Sequence, residues 1–227
     1  MTLIQLDQVS VSFGDRHILR ELNLEIDRGE HTLILGPSGS GKSTLLYLLG
    51  ALMSPTSGQL NFERQPYPTP KSASDFRKRN FGFLFQDFHL IEHMTVEDNI
   101  GLFQAALGAG KSLPTPRELL TPLGMETFLG TRVQQLSRGE RQRVAMARAL
   151  SHAPIVALAD EPTASLDPGN ASDTLQHLWG LCAQLGTTAI IVSHDVALKT
   201  APHFKHSLRL EQGALFDTEA SEGHGNE

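Results

Sequence analysis

"HTLILGPSGSGKSTLLYLLGAL", residues 31–52, is the stretch from which the rest of the chain can be read. "HTLILG" is a short apolar run of the kind found in a strand buried on both faces. "KSTLLYLLGAL" has helical spacing and stops before "SPTSG". Between them Gly36, Pro37, Ser38, Gly39, Ser40, Gly41, Lys42, Ser43 and Thr44 match the pattern G-x-x-x-x-G-K-[ST] in full. The glycines let successive backbone N–H groups turn toward phosphate oxygens, helped by the positive end of the helix that follows. Lys42 brings a point charge to the β- and γ-phosphates, and the Ser43 hydroxyl a ligand for Mg²⁺. Strand, loop and helix in that order are the context the motif requires, so the stretch predicts a nucleoside triphosphate site.

Strands flank this unit on both sides. "IQLDQVSVSF" and "HILRELNLEID" alternate as half-buried strands do, and "GQLNFERQ" reads as another before the proline-rich loop "PYPTPKSAS". "FRKRN" is a short basic run, read as a solvated helix face with phosphate or lipid contact as its rival. "FGFLFQ" is a second buried strand, ending in Gln86. From Asp87 to about Arg132 the pattern turns helical and irregular, broken by Pro114, Pro116 and Pro122, which predicts a helical lobe inserted in an α/β core. "PIVALADEP" and "TTAIIVSH" are further buried strands, and "HSLRLEQGALF" a closing hairpin around Glu211, Gln212 and Gly213.

A second anion-facing helix start comes at "LSRGERQRVAMARAL", residues 136–150. Ser137 can cap it, Gly139 lets the backbone approach a ligand, and Glu140 holds the capping-box position. Asp160 and Glu161 end the strand "IVALAD". An aspartate there can hold a magnesium shell, and the next glutamate can orient and polarise an attacking water. His194 ends "AIIVSH" and reaches the same kind of sheet edge, the carboxyl ends of parallel strands. The remaining histidines show no metal-ligand spacing.

Bulk composition narrows the partners. A net charge of −6 argues against nucleic acid as the main partner, although a local basic patch is compatible with it. One cysteine, Cys182, excludes an internal disulfide, and its apolar helical setting reads as a packed core thiol. "MTLIQLDQVS" has neither a basic start nor a long apolar core, so no signal peptide is expected, and no stretch is long and apolar enough to span a membrane.

The phosphate loop, Gln86, "LSRGE", "ALADEP", "SLD" and His194 occur in the order and approximate spacing of ATP-binding-cassette ATPase subunits, and the resemblance covers nearly the whole chain. It implies an α/β fold: a P-loop NTPase core with a mainly parallel sheet, an antiparallel β subdomain and an inserted helical subdomain. The whole of 1–227 would be a single nucleotide-binding domain. Its helical subdomain would cover about 87–150, and an acidic tail at about 217–227 is expected to fray. The resemblance also implies ATP and Mg²⁺ as cofactors, with Ser43, Gln86 and Asp160 toward the metal and Glu161, His194 and Gln86 in catalysis. Phe13 matches the aromatic that stacks on adenine, with a core phenylalanine as the alternative, and Asp167 in "SLD" matches the dimer seam. In such ATPases two cassettes pack head to tail, so Ser137, Gly139 and Glu140 would face the nucleotide of the partner. One departure is Arg138, where the family usually has glycine. Arginine is costly there if the position needs φ > 0 and harmless if it is simply the first helical turn.

Among such cassettes, "FGFLFQDFHLIEHMTVEDNI" and "LADEPTASLD" most resemble the lipoprotein-releasing, macrolide-exporting and cell-division-associated group. The commoner wording there has Gly-Asn where Ala164 and Ser165 stand. This implies an integral membrane partner, mechanical coupling, and a peripheral place on the cytoplasmic face of the inner membrane. An energy subunit for amino-acid or ion uptake, and a regulatory cassette controlling a cell-envelope hydrolase, share nearly all of these motifs.

Overall fold

A computed structural model describes residues 1–105, 107, 112–164 and 168–218. Asp167, Ser165 and the tail from residue 219 lie outside the described residues. In chain order the elements are β1 (Thr2–Phe13), β2 (Arg16–Asp27), β3 (Thr32–Leu35), α1 (Lys42–Leu49), β4 (Ser57–Phe62), β5 (Gln65–Pro66), α2 (Ser74–Asn80) and β6 (Phe81–Leu84). They continue as α3 (Val96–Ala105), α4 (Pro116–Leu120), α5 (Arg138–Leu150), β7 (Val156–Asp160), α6 (Pro168–Leu185), β8 (Thr188–Ser193), β9 (His206–Glu211) and β10 (Ala214–Asp217). Helices and strands are both present, with parallel and antiparallel pairing, as an α/β fold requires. The chain forms two compact units, Met1–Ser74 with Ala189–Glu227, and Asp75–Thr188.

In the first unit, β2, β1, β4 and β5 make an antiparallel sheet in that order. β1 buries Ile4 and Leu6, then Val9 and Val11, so its inward side changes parity half-way. The change falls at a register shift against β2, where Gln8 has φ 49°, and β2 shows the same device at Glu21, φ 46°. A bulged residue flips the side-chain period, and matched bulges keep both strands facing one core. The predicted strand "GQLNFERQ" is in fact two, because Glu63 and Arg64 turn at φ 48° and 66° to fold β5 back on β4.

In the same unit β9, β3 and β8 run parallel, with β10 closing the edge as a hairpin. Leu33 and Ile34 pair with Ile191 and Val192, and all four are fully buried. This is why β3 and β8 read as unbroken apolar runs rather than alternating ones. Gln212 and Gly213, at φ 46° and 82°, make the β9–β10 turn with the left-handed pair that suits the twist of a hairpin.

The second unit contains β6 parallel to β7, and the helices α3 to α6. The described residues of 87–132, where a helical lobe is expected, lie in this unit and form short helices. Thr115 caps α4 in a capping box, while Pro116 takes the first turn of the helix. Asn99 is fully buried: its amide donates to the Ile91 and Thr95 carbonyls and its oxygen accepts from the Ile91 N–H, which fixes the 91–95 loop. Cys182 on α6 is 1% exposed, and burial pushes its thiol up to about 12, as a core residue rather than a reactive one. No helix of the described residues is long and apolar enough to cross a membrane.

Candidate functional site

The phosphate loop leaves β3 where β8 also ends, tied by the Gly36 N–H donating to the Ser193 carbonyl at 3.1 Å. A Cβ on Gly36 would meet the Leu210 carbonyl oxygen at 2.4 Å, so only glycine fits between β3 and β9. Gly39 and Gly41 adopt φ 79° and 104°, which point successive amides into the concave side of the loop. Gly41 is also the N-cap of α1 and offers no side-chain oxygen to the first amides of the helix. Lys42 is 7% exposed and folds back over the loop, donating to the carbonyls of Gly36 at 2.7 Å and Pro37 at 3.1 Å. The Ser40 hydroxyl is buried and finds no hydrogen-bond partner among the described residues. A concave nest of amides, a cation and an orphan hydroxyl together fit a polyphosphate anion.

His194 follows β8 directly and, with Gly36 and Pro37, lines an open cavity of about 410 Å³ that also takes in Lys199 and Arg209. Phe13 is 60% exposed at the end of β1, so its ring is available for stacking rather than spent in a core.

The other chemistry-bearing residues belong to the second unit. Gln86 is exposed, two residues beyond β6. The chain then passes through Phe88 and His89 at φ 59° and 49°, a left-handed pair without glycine. Arg148, near the far end of α5, donates from its guanidinium to both their carbonyls and stacks over the Phe103 ring at 5.4 Å. Burial of Arg148 lowers its guanidinium to about 10. Sequence reasoning did not single out Arg148, since its partners are backbone carbonyls about sixty residues upstream.

Asp160 is the last residue of β7 and 8% exposed. Glu161 comes next at φ 49°, outside the ordinary range for a glutamate. A residue held in that region costs on the order of 1–3 kcal/mol and persists only where its surroundings enforce it. The Ala164 N–H donates to the Glu161 carbonyl at 3.2 Å, closing a turn, and the Gln142 side-chain amide donates to the Pro162 carbonyl.

At the start of α5 the capping box read from "LSRGE" is present. The Ser137 hydroxyl accepts from the Glu140 N–H at 3.4 Å, and the Ser137 N–H donates to the Glu140 carboxylate at 2.7 Å. Hydrogen bonds from the Ser137 hydroxyl and amide hold the Glu140 carboxyl below its ordinary value, with a smaller contribution from Arg143. Arg138 is the first helical residue and is not among the residues at positive φ, which settles the alternative in favour of an unstrained arginine. Its guanidinium lies 5.8 Å from the centre of the Phe88 ring. A Cβ on Gly139 would meet nothing closer than an Arg143 nitrogen at 4.0 Å, which leaves open backbone for a ligand.

Magnesium takes oxygen donors and commonly keeps one or two protein ligands, completed by phosphate and water. Ser43 in the first unit, and Gln86 and Asp160 in the second, each carry a side-chain oxygen of the kind magnesium takes. Among the described residues no group of three or more His, Cys, Asp or Glu side chains is placed to hold a metal by itself.

Comparison with known proteins bears on this arrangement. The family described as ABC transporter matches residues 19–164. The lipoprotein-releasing system ATP-binding protein LolD 2 of Rhodospirillum rubrum is 42% identical over 209 residues, covering 87% of this chain and 90% of that protein. The protein LolD of Bacteroides fragilis is 38% identical over 200 residues, 86% of this chain and 93% of that one. Among solved structures, a dimeric structure of MJ0796, a bacterial ABC transporter cassette, superposes with a TM-score of 0.81 at 33% identity, covering 94% of this chain and 96% of that one. A dimeric post-hydrolysis state of the same cassette, bound to ADP and Pi, gives 0.80 at 32% identity over 95% of this chain and 98% of that one.

Proposed function

The chain belongs to the ABC transporter family, and from that premise we propose that it works as one half of a head-to-tail homodimer driving a membrane partner of the lipoprotein-releasing type. Its activity is that of the family's ATPase subunits: it binds ATP and hydrolyses it to ADP and phosphate. What goes further is the division of labour among the residues, the partner and the place in the cell.

The observation that carries the dimer reading is the start of α5. Ser137 and Glu140 satisfy each other, Gly139 is open, and the chain's own phosphate loop already has a helix start of its own in α1. A second copy supplies the missing nucleotide for α5, and two-fold symmetry then builds two identical sites. The dimeric cassettes similar to this chain support that reading.

ATP enters the loop between Gly36 and Thr44. The Lys42 ammonium exchanges the carbonyls of Gly36 and Pro37 for β- and γ-phosphate oxygens, and the Ser40 hydroxyl gains an acceptor. Mg²⁺ would be held by Ser43, Gln86 and Asp160, and when bound it neutralises charge on the phosphates. Glu161 orients a water and accepts its proton as the water oxygen attacks the γ-phosphorus; the bond to the β–γ bridging oxygen breaks and ADP leaves. His194 steadies the γ-phosphate, Phe13 stacks on the adenine, and Asp167 belongs to the seam. Ser137, Gly139 and Glu140 cap the partner's nucleotide.

Part-exposed Phe83 and Phe85, stacked at 5.5 Å, with exposed Leu102 and Phe103, give the second unit apolar surface suited to a short helix of an integral membrane subunit. A cassette coupled to such a subunit would work from the cytoplasmic face of the membrane. The two lipoprotein-releasing relatives favour this class over solute uptake.

The test is the Glu161→Gln variant, purified with ATP from detergent-solubilised membranes. The expected result is retained ATP binding, a trapped dimer, turnover reduced by about 10²–10⁴, and co-purification of a membrane protein with a large external domain. Turnover at the parent rate would remove Glu161 from its role. A partner with many spans and little external mass would replace lipoprotein release by solute uptake.

A further inference from the structure

Gln142 is 3% exposed, in the second turn of α5, and its side-chain amide is committed to the carbonyl of Pro162. That carbonyl belongs to neither a helix nor a strand. Proline has no N–H, so at this residue the carbonyl is the only main-chain hydrogen-bonding handle. The preceding residue is Glu161, at φ 49°, in a turn that the bond from the Ala164 N–H helps to close. A left-handed glutamate needs external restraint to stay there, and Gln142 supplies it from a different element.

The helix that carries Gln142 begins at the Ser137–Glu140 capping box. Gln142 lies five residues on from Ser137, about 7.5 Å along the axis at the helical rise of 1.5 Å per residue. α5 runs without a break for thirteen residues, so a displacement at its start moves Gln142 with it.

We infer that Gln142 is a positioning residue for Glu161: it ties the helix start that meets the partner's nucleotide to the carboxylate that acts on the chain's own. This rests on the roles proposed above for Glu161 and Ser137. ATP held by the partner draws the start of α5 into place, Gln142 carries that placement to the Pro162 carbonyl, and the Glu161 carboxylate is set for attack. Each of the two sites is thereby informed of the occupancy of the other, through one buried side chain in each copy.

The experiment measures steady-state ATPase activity of Gln142→Met, which keeps the bulk of the side chain and removes the donor. The expected result is kcat lowered about 10- to 100-fold, the scale of a small misplacement of a catalytic group, with KM for ATP unchanged. In the Glu161→Gln background the same substitution leaves the ATP-induced dimer intact and slows residual turnover no further, because both act through one carboxylate. Gln142→Asn, which keeps the amide but withdraws it by one methylene, gives the same kcat-selective loss and serves if Gln142→Met does not fold. Parent kcat in either folded variant overturns the inference, as does a rise in KM or loss of the ATP-induced dimer, which would assign Gln142 to the nucleotide contact instead. If Glu161→Gln itself turns over at the parent rate, the role of Glu161 fails first. If Glu161→Gln is inactive and Gln142→Met is not, only the role of Gln142 fails.

Discussion

The molecule has two helix starts suited to phosphate, and they are built in opposite ways. α1 begins at Gly41, which has no side-chain oxygen to offer, beside a folded-back Lys42 and a Ser40 hydroxyl without a partner among the described residues. α5 begins at a serine and a glutamate that satisfy each other, out in solvent. The first end is incomplete until an anion arrives, and the cost of leaving polar groups buried and unmatched favours filling it. The second is complete by itself, so a ligand there adds contacts without repairing anything. A site that must capture nucleotide from solution is preorganised and unsatisfied; a surface that must meet a nucleotide only when two copies close is stable alone and adhesive only in company.

Five substitutions, grouped into four tests, strain that contrast in order of decreasing effect. Lys42→Ala removes a charged donor from the incomplete end, and such a bond is worth about 1.5–3 kcal/mol. ATP affinity of the monomer, measured by calorimetry, should drop roughly 10- to 100-fold. Unchanged affinity would mean that the α1 end is not the capture site.

Next comes a pair of glycines treated alike. Gly36→Ala forces a methyl against the Leu210 carbonyl at 2.4 Å and should destabilise the fold by about 1–3 kcal/mol. Gly139→Ala meets open space and should leave thermal stability the same or slightly higher, since alanine outranks glycine in a helix by about 1 kcal/mol. It should still impair the ATP-induced dimer. Equal melting temperatures for the two variants would erase the distinction between a glycine packed against backbone and one facing open space.

Ser137→Ala should cost about 1 kcal/mol of stability through the lost cap. Its signature is selective: ATP binding by the monomer stays at the parent value while the ATP-induced dimer disappears in light scattering. A dimer that forms regardless would sink the trans-capping role.

The smallest effect concerns pH. Glu140 has its folded-state value depressed by Ser137, so its contribution to stability is present above the unfolded glutamate value of about 4.3 and is lost as pH falls through the lower folded value. Glu140→Gln can still fill the box but does not titrate. In acid unfolding followed by circular dichroism the parent should therefore lose stability more steeply than the variant below that pH. Parallel curves would show that the box carries no charge-dependent stability.

Much of this was legible because local chemistry demanded it. The loop 36–44 requires glycine at particular places, and Ser137 with Glu140 announces a helix start in four residues. The buried strands β3, β7 and β8 show as apolar runs because both faces are covered. What escaped had no local signature. Glu63 and Arg64 split a predicted strand although neither is a turn residue by preference, and the parity change at Gln8 depends on a matching bulge in β2. α1 ends at Leu49, earlier than its apolar spacing suggests, because Gly50 and then Ala51 at φ 54° leave the helix. Arg138 was undecidable from composition, since the backbone angle alone distinguishes harm from indifference. Gln142 and Arg148 bond to main-chain carbonyls twenty and about sixty residues away, and no side-chain pattern can advertise a partner that every residue possesses.

Cys182 has a practical consequence. The only thiol of the chain is sealed in α6 and, at about 12, is not nucleophilic near neutral pH, so maleimide and nitroxide reagents will pass it by. The natural protein is thus already a blank background for spectroscopic labelling. A cysteine substituted for exposed Leu52 or Val196 would carry one probe per copy, and the distance between two such probes could be followed through every stage of the ATP cycle without removing the native cysteine.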